Sequence, residues 1–181
     1  MDRYHRARVA LHWIIAAAAL CQLALGWWMI GIPKSPPGLR AGWFNVHKSI
    51  GLTIGMAMLL RAWLWWRFPS PPLPASMPRW QAIAARANHA LLYACLIVMP
   101  LSGYLGSSFT KYPIKYFGFT LPYWGWDAPL LKDICSTVHF TTVCTLMALL
   151  ALHIAAALKH AFVDRDAILR RMWFSTQGER S

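Results

Sequence analysis

The residues best equipped for chemistry in this chain are its 7 histidines, and their spacing carries information. His5 stands apart. His12, His47, His89, His139 and His153 fall inside long apolar stretches, and His160 falls at the edge of one. Imidazole is the commonest metal ligand and titrates near neutrality, so it serves either to hold a metal or to move a proton. An ionisable side chain inside an apolar span is costly to keep and marks function by default. His139 and His153 are fourteen residues apart, two heptads, so they lie along one seam of a helix. At 1.5 Å per residue they are separated by roughly 21 Å. His47 falls at the depth of His139, and His12 at the depth of His153. The pattern predicts two bis-imidazole sites stacked along one bundle. Such ligation suits b-type haem, which needs no covalent cysteine and fits between bundle helices.

The elements that position these histidines follow from composition. The chain has 181 residues, 57% hydrophobic, with 18 Lys and Arg against 6 Asp and Glu. Residues 9–32, 87–110 and 134–158 contain no charged residue, and residues 41–66 contain only Lys48 and Arg61. Each stretch exceeds the ~20 apolar residues that cross a bilayer as a helix. The fold class expected is therefore all-α, a four-helix transmembrane bundle, with spans at about 9–32, 43–66, 84–107 and 134–160, forming a single membrane-embedded unit over 1–181. A soluble globular enzyme is excluded. A nucleic-acid-binding role is excluded too, because no basic face remains once the spans are removed. The basic start followed by an apolar run is read as an uncleaved first span, since the run is longer than a signal h-region.

Residues 33–40 and 67–80 are Pro-rich connections, and residues 111–133 form the longest loop, rich in Tyr and Trp. Aromatics of this kind favour the membrane interface, so the loop is expected to fold over one end of the bundle. Cys21, Cys95, Cys135 and Cys144 all lie in or at the edge of spans, with no paired-cysteine metal pattern, and read as small apolar core residues. No span carries Asp or Glu. That argues against a hard-metal transporter and a carboxylate-based proton pump.

Further residues cluster around the histidines. Gly51 and Gly55 follow His47 on nearly the same face, and either make room for a flat macrocycle or form a helix-packing motif. Ala16 and Ala19 are placed on the His12 face. Arg61, fourteen residues after His47, reaches the level of the lower site, either to pair with a haem propionate or to snorkel to the interface. His89 is the alternative to His12 as a ligand. His89 and His160 are otherwise available as proton carriers at that end, although an interfacial histidine without a special role is the plainer account of His160.

Orientation follows from counting Lys and Arg. The N-terminus, the second connection and the C-terminus, with the span ends beside them, hold twelve, from Arg3 to Arg180. The opposite side holds six: Lys34, Arg40, Lys48, Lys111, Lys115 and Lys132. The positive-inside rule places both termini in the cytoplasm. The outer side nevertheless keeps a positive excess over Asp127 and Asp133, and Lys111, Lys115 and Lys132 are the residues expected to attract an anion there.

The strings LHW at 11–13, VHKSIGL at 46–52, RAWLWWRFPSPP at 61–72, NHALLYACLIVMPLSGYLGSS at 88–108, YFGFTLPY at 116–123 and LHIAAALKHAFVDRDAILRRM at 152–172 resemble the bacterial cytochrome b561 family. The resemblance covers nearly the whole chain. It implies two b haems, the inner one on His12 and His153 and the outer one on His47 and His139, in the cytoplasmic (inner) membrane. It also implies electron transfer from the periplasmic face to quinone, and the family's best-known activity is superoxide oxidase: superoxide is oxidised to oxygen and ubiquinone is reduced. The pattern of helices 1, 2 and 4 is also similar to cytochrome b subunits that take electrons from a periplasmic dehydrogenase or hydrogenase partner. A haem-free membrane transporter is the alternative from another class.

Overall fold

The structure, a computed structural model, describes residues 4–35, 38–72, 77–166 and 168–172. Arg3 and Arg180 of the charge count lie outside the described residues. The elements are α1 (Arg6–Ile30), α2 (Leu39–Arg67), α3 (Arg79–Ser108), β1 (Lys115–Tyr116), β2 (Phe119–Thr120), α4 (Pro129–Phe162) and a short 3-10 helix, Leu169–Met172. All four α-helices are long and apolar enough to cross a membrane. They extend a few residues beyond the expected spans at most of their ends. The largest differences, five residues each, are at the starts of α3 and α4, whose first turns take in residues expected as loop. Pro129 sits at the start of α4, where a missing N–H costs nothing.

The long loop is more structured than its composition suggested. Lys115 pairs with Thr120, and Tyr116 with Phe119, in an antiparallel hairpin. Its two-residue turn, Phe117 and Gly118, has φ of 45° and 95°, the left-handed pair that a tight hairpin demands. Ser49 of α2 anchors the hairpin: it is buried, and its hydroxyl oxygen accepts the Phe117 N–H at 2.9 Å. Further along, a Cβ on Gly125 would lie 1.9 Å from the Ser108 carbonyl oxygen, so only glycine lets the chain pass the end of α3. The loop thus folds over the end of the bundle, as its aromatics indicated.

The opposite end gathers the N-terminal segment, the α2–α3 connection and the last described residues. Arg8 donates to the Phe68 carbonyl at 2.6 Å and to Ser70 Oγ at 2.9 Å. Trp13 Nε1 donates to the Met172 carbonyl, and Arg171 to that of Pro72. These contacts put both ends of the described chain at one end of the bundle.

The apolar core lies midway along the helices. Ile15, Ile54 and Met58 form one cluster, and Leu92, Cys95 and Leu146 another. Gly55 accommodates Pro100, whose Cγ would be 3.1 Å from an added Cβ, so this glycine serves helix packing. Among the cysteines only Cys95 is a core residue. Cys21 and Cys144 are exposed on the outside of the bundle and Cys135 is intermediate, which corrects the expectation for three of the four. In a bilayer a thiol facing lipid is as well placed as one in the core, so hydrophobic patterning does not separate the two positions.

Candidate functional site

The bundle carries two tiers of histidines, one on each side of the apolar core. In the tier nearer the hairpin, His47 of α2 faces His139 of α4, with ring centroids 6.4 Å apart and planes at 69°. His139 Nδ1 lies 3.0 Å from the Met99 carbonyl oxygen and 3.2 Å from Ser102 Oγ. A proton on Nδ1 satisfies the carbonyl and leaves the Nε2 lone pair for a metal. Both rings lie against glycine. A Cβ on Gly26 would be 3.1 Å from His47 Cε1, and one on Gly103 would be 3.3 Å from His139 Cε1. Both histidines line a cleft with Ala19, Gln22, Gly51 and Tyr104. Ala19, seven residues after His12 and so on the same face of α1, lines this cleft. Gln22 is buried and donates from Nε2 to the His47 carbonyl, which ties α1 to α2 at this level.

In the other tier, His12 of α1 faces His153 of α4, with centroids 6.2 Å apart and planes at 71°. His89 of α3 lies closer to His153, at 5.2 Å, and its Nδ1 is 2.7 Å from the Ala85 carbonyl oxygen. Arg61 is half-buried at this level, donating to the Arg8 carbonyl at 3.2 Å with its guanidinium 5.7 Å from the Tyr93 ring centre. His160 belongs to a different group. Its Nδ1 is 2.7 Å from Asp166 and 3.2 Å from Asp164, and Lys159 also pairs with Asp164.

A metal bound to one nitrogen of each of two imidazoles at about 2.0 Å holds their ring centroids roughly 6 Å apart. On that measure His47 and His139, and likewise His12 and His153, would each be able to hold one haem iron between them. The His89–His153 contact, at 5.2 Å, is too short for that arrangement. Midway between the tiers sits Leu146, fully buried and seven residues from both His139 and His153.

The cations of the hairpin end divide. Lys111 is 3.7 Å from Asp127, and Lys132 is 2.8 Å from Asp133. Arg40 donates to the Ile32 carbonyl. Lys115 and Lys34 have exposed side chains in no ion pair among the described residues, and Lys48 lines the cleft of the His47 tier. Exposed pairs of this kind are weak and screened by salt, so the end as a whole stays positive.

Sequence reasoning brought out the four paired histidines and Arg61, but missed Gly26, Gly103, Gln22 and Ser102. The signal was available in the same spacing, because Gly26 is fourteen residues after His12, and Gly103 fourteen after His89.

With this geometry in view, the chain matches the family model described as prokaryotic cytochrome b561 over residues 3–175. It is 35% identical to cytochrome b561 homolog 2 of Escherichia coli (strain K12), with 94% of this chain and 91% of the relative covered. It is 25% identical to cytochrome b561 homolog 1 of the same organism, over 95% and 97%. To the probable superoxide oxidase CybB of Yersinia pestis it is 26% identical, over 97% and 98%.

Proposed function

This chain belongs to the prokaryotic cytochrome b561 family, and on that premise we propose that it is a two-haem membrane electron carrier that oxidises superoxide and reduces ubiquinone. Membership implies haem b. The observation that carries the number two is the repetition of one imidazole pair, at 6.2 and 6.4 Å, in two tiers. His47 and His139 hold the outer haem, and His12 and His153 the inner one. Bound haem supplies a one-electron ferric/ferrous couple.

The remaining steps belong to the chain's own residues. The excess of Lys and Arg at the termini end supports a cytoplasmic location for that end, and the hairpin end then faces the periplasm. There Lys48 and Lys115, with Lys111 and Lys132 beside them, raise the local concentration of a small anion. Two superoxide ions each give up one electron and leave as oxygen. Ubiquinone takes up those two electrons and two protons to become ubiquinol. His89, next to His153, and His160, within its carboxylate cluster, are the imidazoles at the cytoplasmic end able to hand on protons. Arg61 supplies a fixed cation at the inner tier for a haem propionate.

The name of the Yersinia pestis relative supports superoxide as the donor. The test is a stoichiometry. Purified protein given superoxide and a ubiquinone analogue should form one quinol for every two superoxide ions consumed, above the rate of spontaneous dismutation. If superoxide leaves the haems oxidised and a periplasmic dehydrogenase co-purifies, the chain is instead the membrane subunit of that complex.

A further inference from the structure

α3 and α4 run antiparallel, and their contacts repeat every fourteen residues. Gly106 meets Cys135, while Met99, Ser102 and Gly103 surround His139. Leu92 and Cys95 enclose Leu146, and His89 meets His153. Moving fourteen residues along α4, from His139 to His153, shifts the facing positions on α3 from Met99, Ser102 and Gly103 to Ala85, Asn88 and His89. The ring contact between His89 and His153 establishes this register directly, since it mirrors that between Gly103 and His139.

The hydrogen bonds of the two tiers then differ in one respect. In the outer tier, the Met99 carbonyl and Ser102 Oγ receive His139 Nδ1. In the inner tier, the corresponding carbonyl, that of Ala85, is taken by His89. No hydrogen bond reaches the His153 ring among the described residues. Asn88, the counterpart of Ser102, is only 8% exposed, and its Oδ1 is buried without a partner. A buried oxygen left without a donor is costly, and a ligating histidine almost always donates its second N–H. An orphaned acceptor and an unassigned donor thus share one level of the same helix pair.

We infer that Asn88 Oδ1 accepts the Nδ1–H of His153 and so fixes the orientation and basicity of the inner ligand. Asn88 is a positioning residue, acting through His153. The inference rests on His153 being an inner-haem ligand. A stronger acceptor makes the ring a better donor to iron, favours the ferric state and lowers the midpoint potential.

The experiment is a redox titration of both haems in the purified holoprotein, with the inner haem assigned as the one lost in His12→Ala. Asn88→Leu should raise the inner potential, and Asn88→Asp should lower it. Each change should reach about tenfold in the redox equilibrium, 59 mV for a one-electron couple, with the outer haem unmoved. An inner potential unchanged in both variants, shifts of the same sign, or shifts shared by both haems would overturn the inference. So would loss of the inner haem in Asn88→Asp, which keeps the shape and the acceptor. Retention of both haems in His153→Ala would instead remove the ligand assignment beneath it.

Discussion

His12 and His153 face each other at 6.2 Å, and fourteen residues away along α4 the same relationship recurs between His139 and His47 at 6.4 Å. The lower member of each pair is carried by a different partner helix. At the outer tier α2 supplies His47 and α1 supplies Gly26. At the inner tier α1 supplies His12 and α2 supplies Arg61. One stagger thus alternates histidine with glycine at one tier, and histidine with arginine at the other.

Removing the ligands one at a time should separate the tiers. His47→Ala or His139→Ala is expected to abolish the outer haem alone, and His12→Ala or His153→Ala the inner one alone. His89→Ala should keep both. The readout is haem per chain with its reduced-minus-oxidised spectrum. Loss of a haem in His89→Ala with retention in His12→Ala would reassign the α1 ligand.

The angle between the imidazoles has its own signature. Planes at 69° and 71° are close to perpendicular, an arrangement that brings the iron d orbitals close to degeneracy. Both ferric haems should therefore give strongly anisotropic low-spin signals in electron paramagnetic resonance. Ordinary rhombic spectra from both sites would show that the rings lie nearly parallel in the loaded protein.

Clearance at the outer tier can be tested without touching a ligand. An added Cβ at Gly103 falls 3.3 Å from His139 Cε1, and the further methyls of valine reach past it. Gly103→Val should perturb or expel the outer haem at a cost of about 1–3 kcal/mol from overpacking, while the inner haem spectrum is retained. An unchanged outer potential and haem content would mean that the ring does not need this gap.

Much of this was legible before the structure, and the reasons are physical. Long charge-free runs have few alternatives to membrane helices, so the four spans emerged from composition. His139 and His153 emerged because a heptad multiple on a helix fixes both face and depth. Ser102 and Gly103 did not emerge, because their role depends on which helix faces α4 and in what register, which one chain of letters leaves open. The hairpin at Lys115–Thr120 was hidden by its length, since two residues per strand are too few for alternation to register, although Phe117-Gly118 carried a turn signal. Cys21 and Cys144 were misplaced in the core for a related reason: in lipid, hydrophobicity does not distinguish inside from outside.

Anion capture should depend on salt and on charge. Superoxide is expected to reduce the outer haem at a rate that falls as ionic strength rises. Reversing Lys111, Lys115 and Lys132 to Glu should slow that step about 10-fold or more at low salt, with both haem spectra unchanged. Because Lys111 and Lys132 already share Asp127 and Asp133, Lys115 should account for the largest single effect. A rate indifferent to salt and to charge reversal would remove electrostatic capture from the account.

Haem counted per chain in the purified protein tests the two-tier arrangement most directly. Quantitative reduced-minus-oxidised spectroscopy, with the protein determined independently, should give two b haems per chain, both reduced when superoxide is supplied. One haem per chain, or a protein without a Soret band, would contradict it.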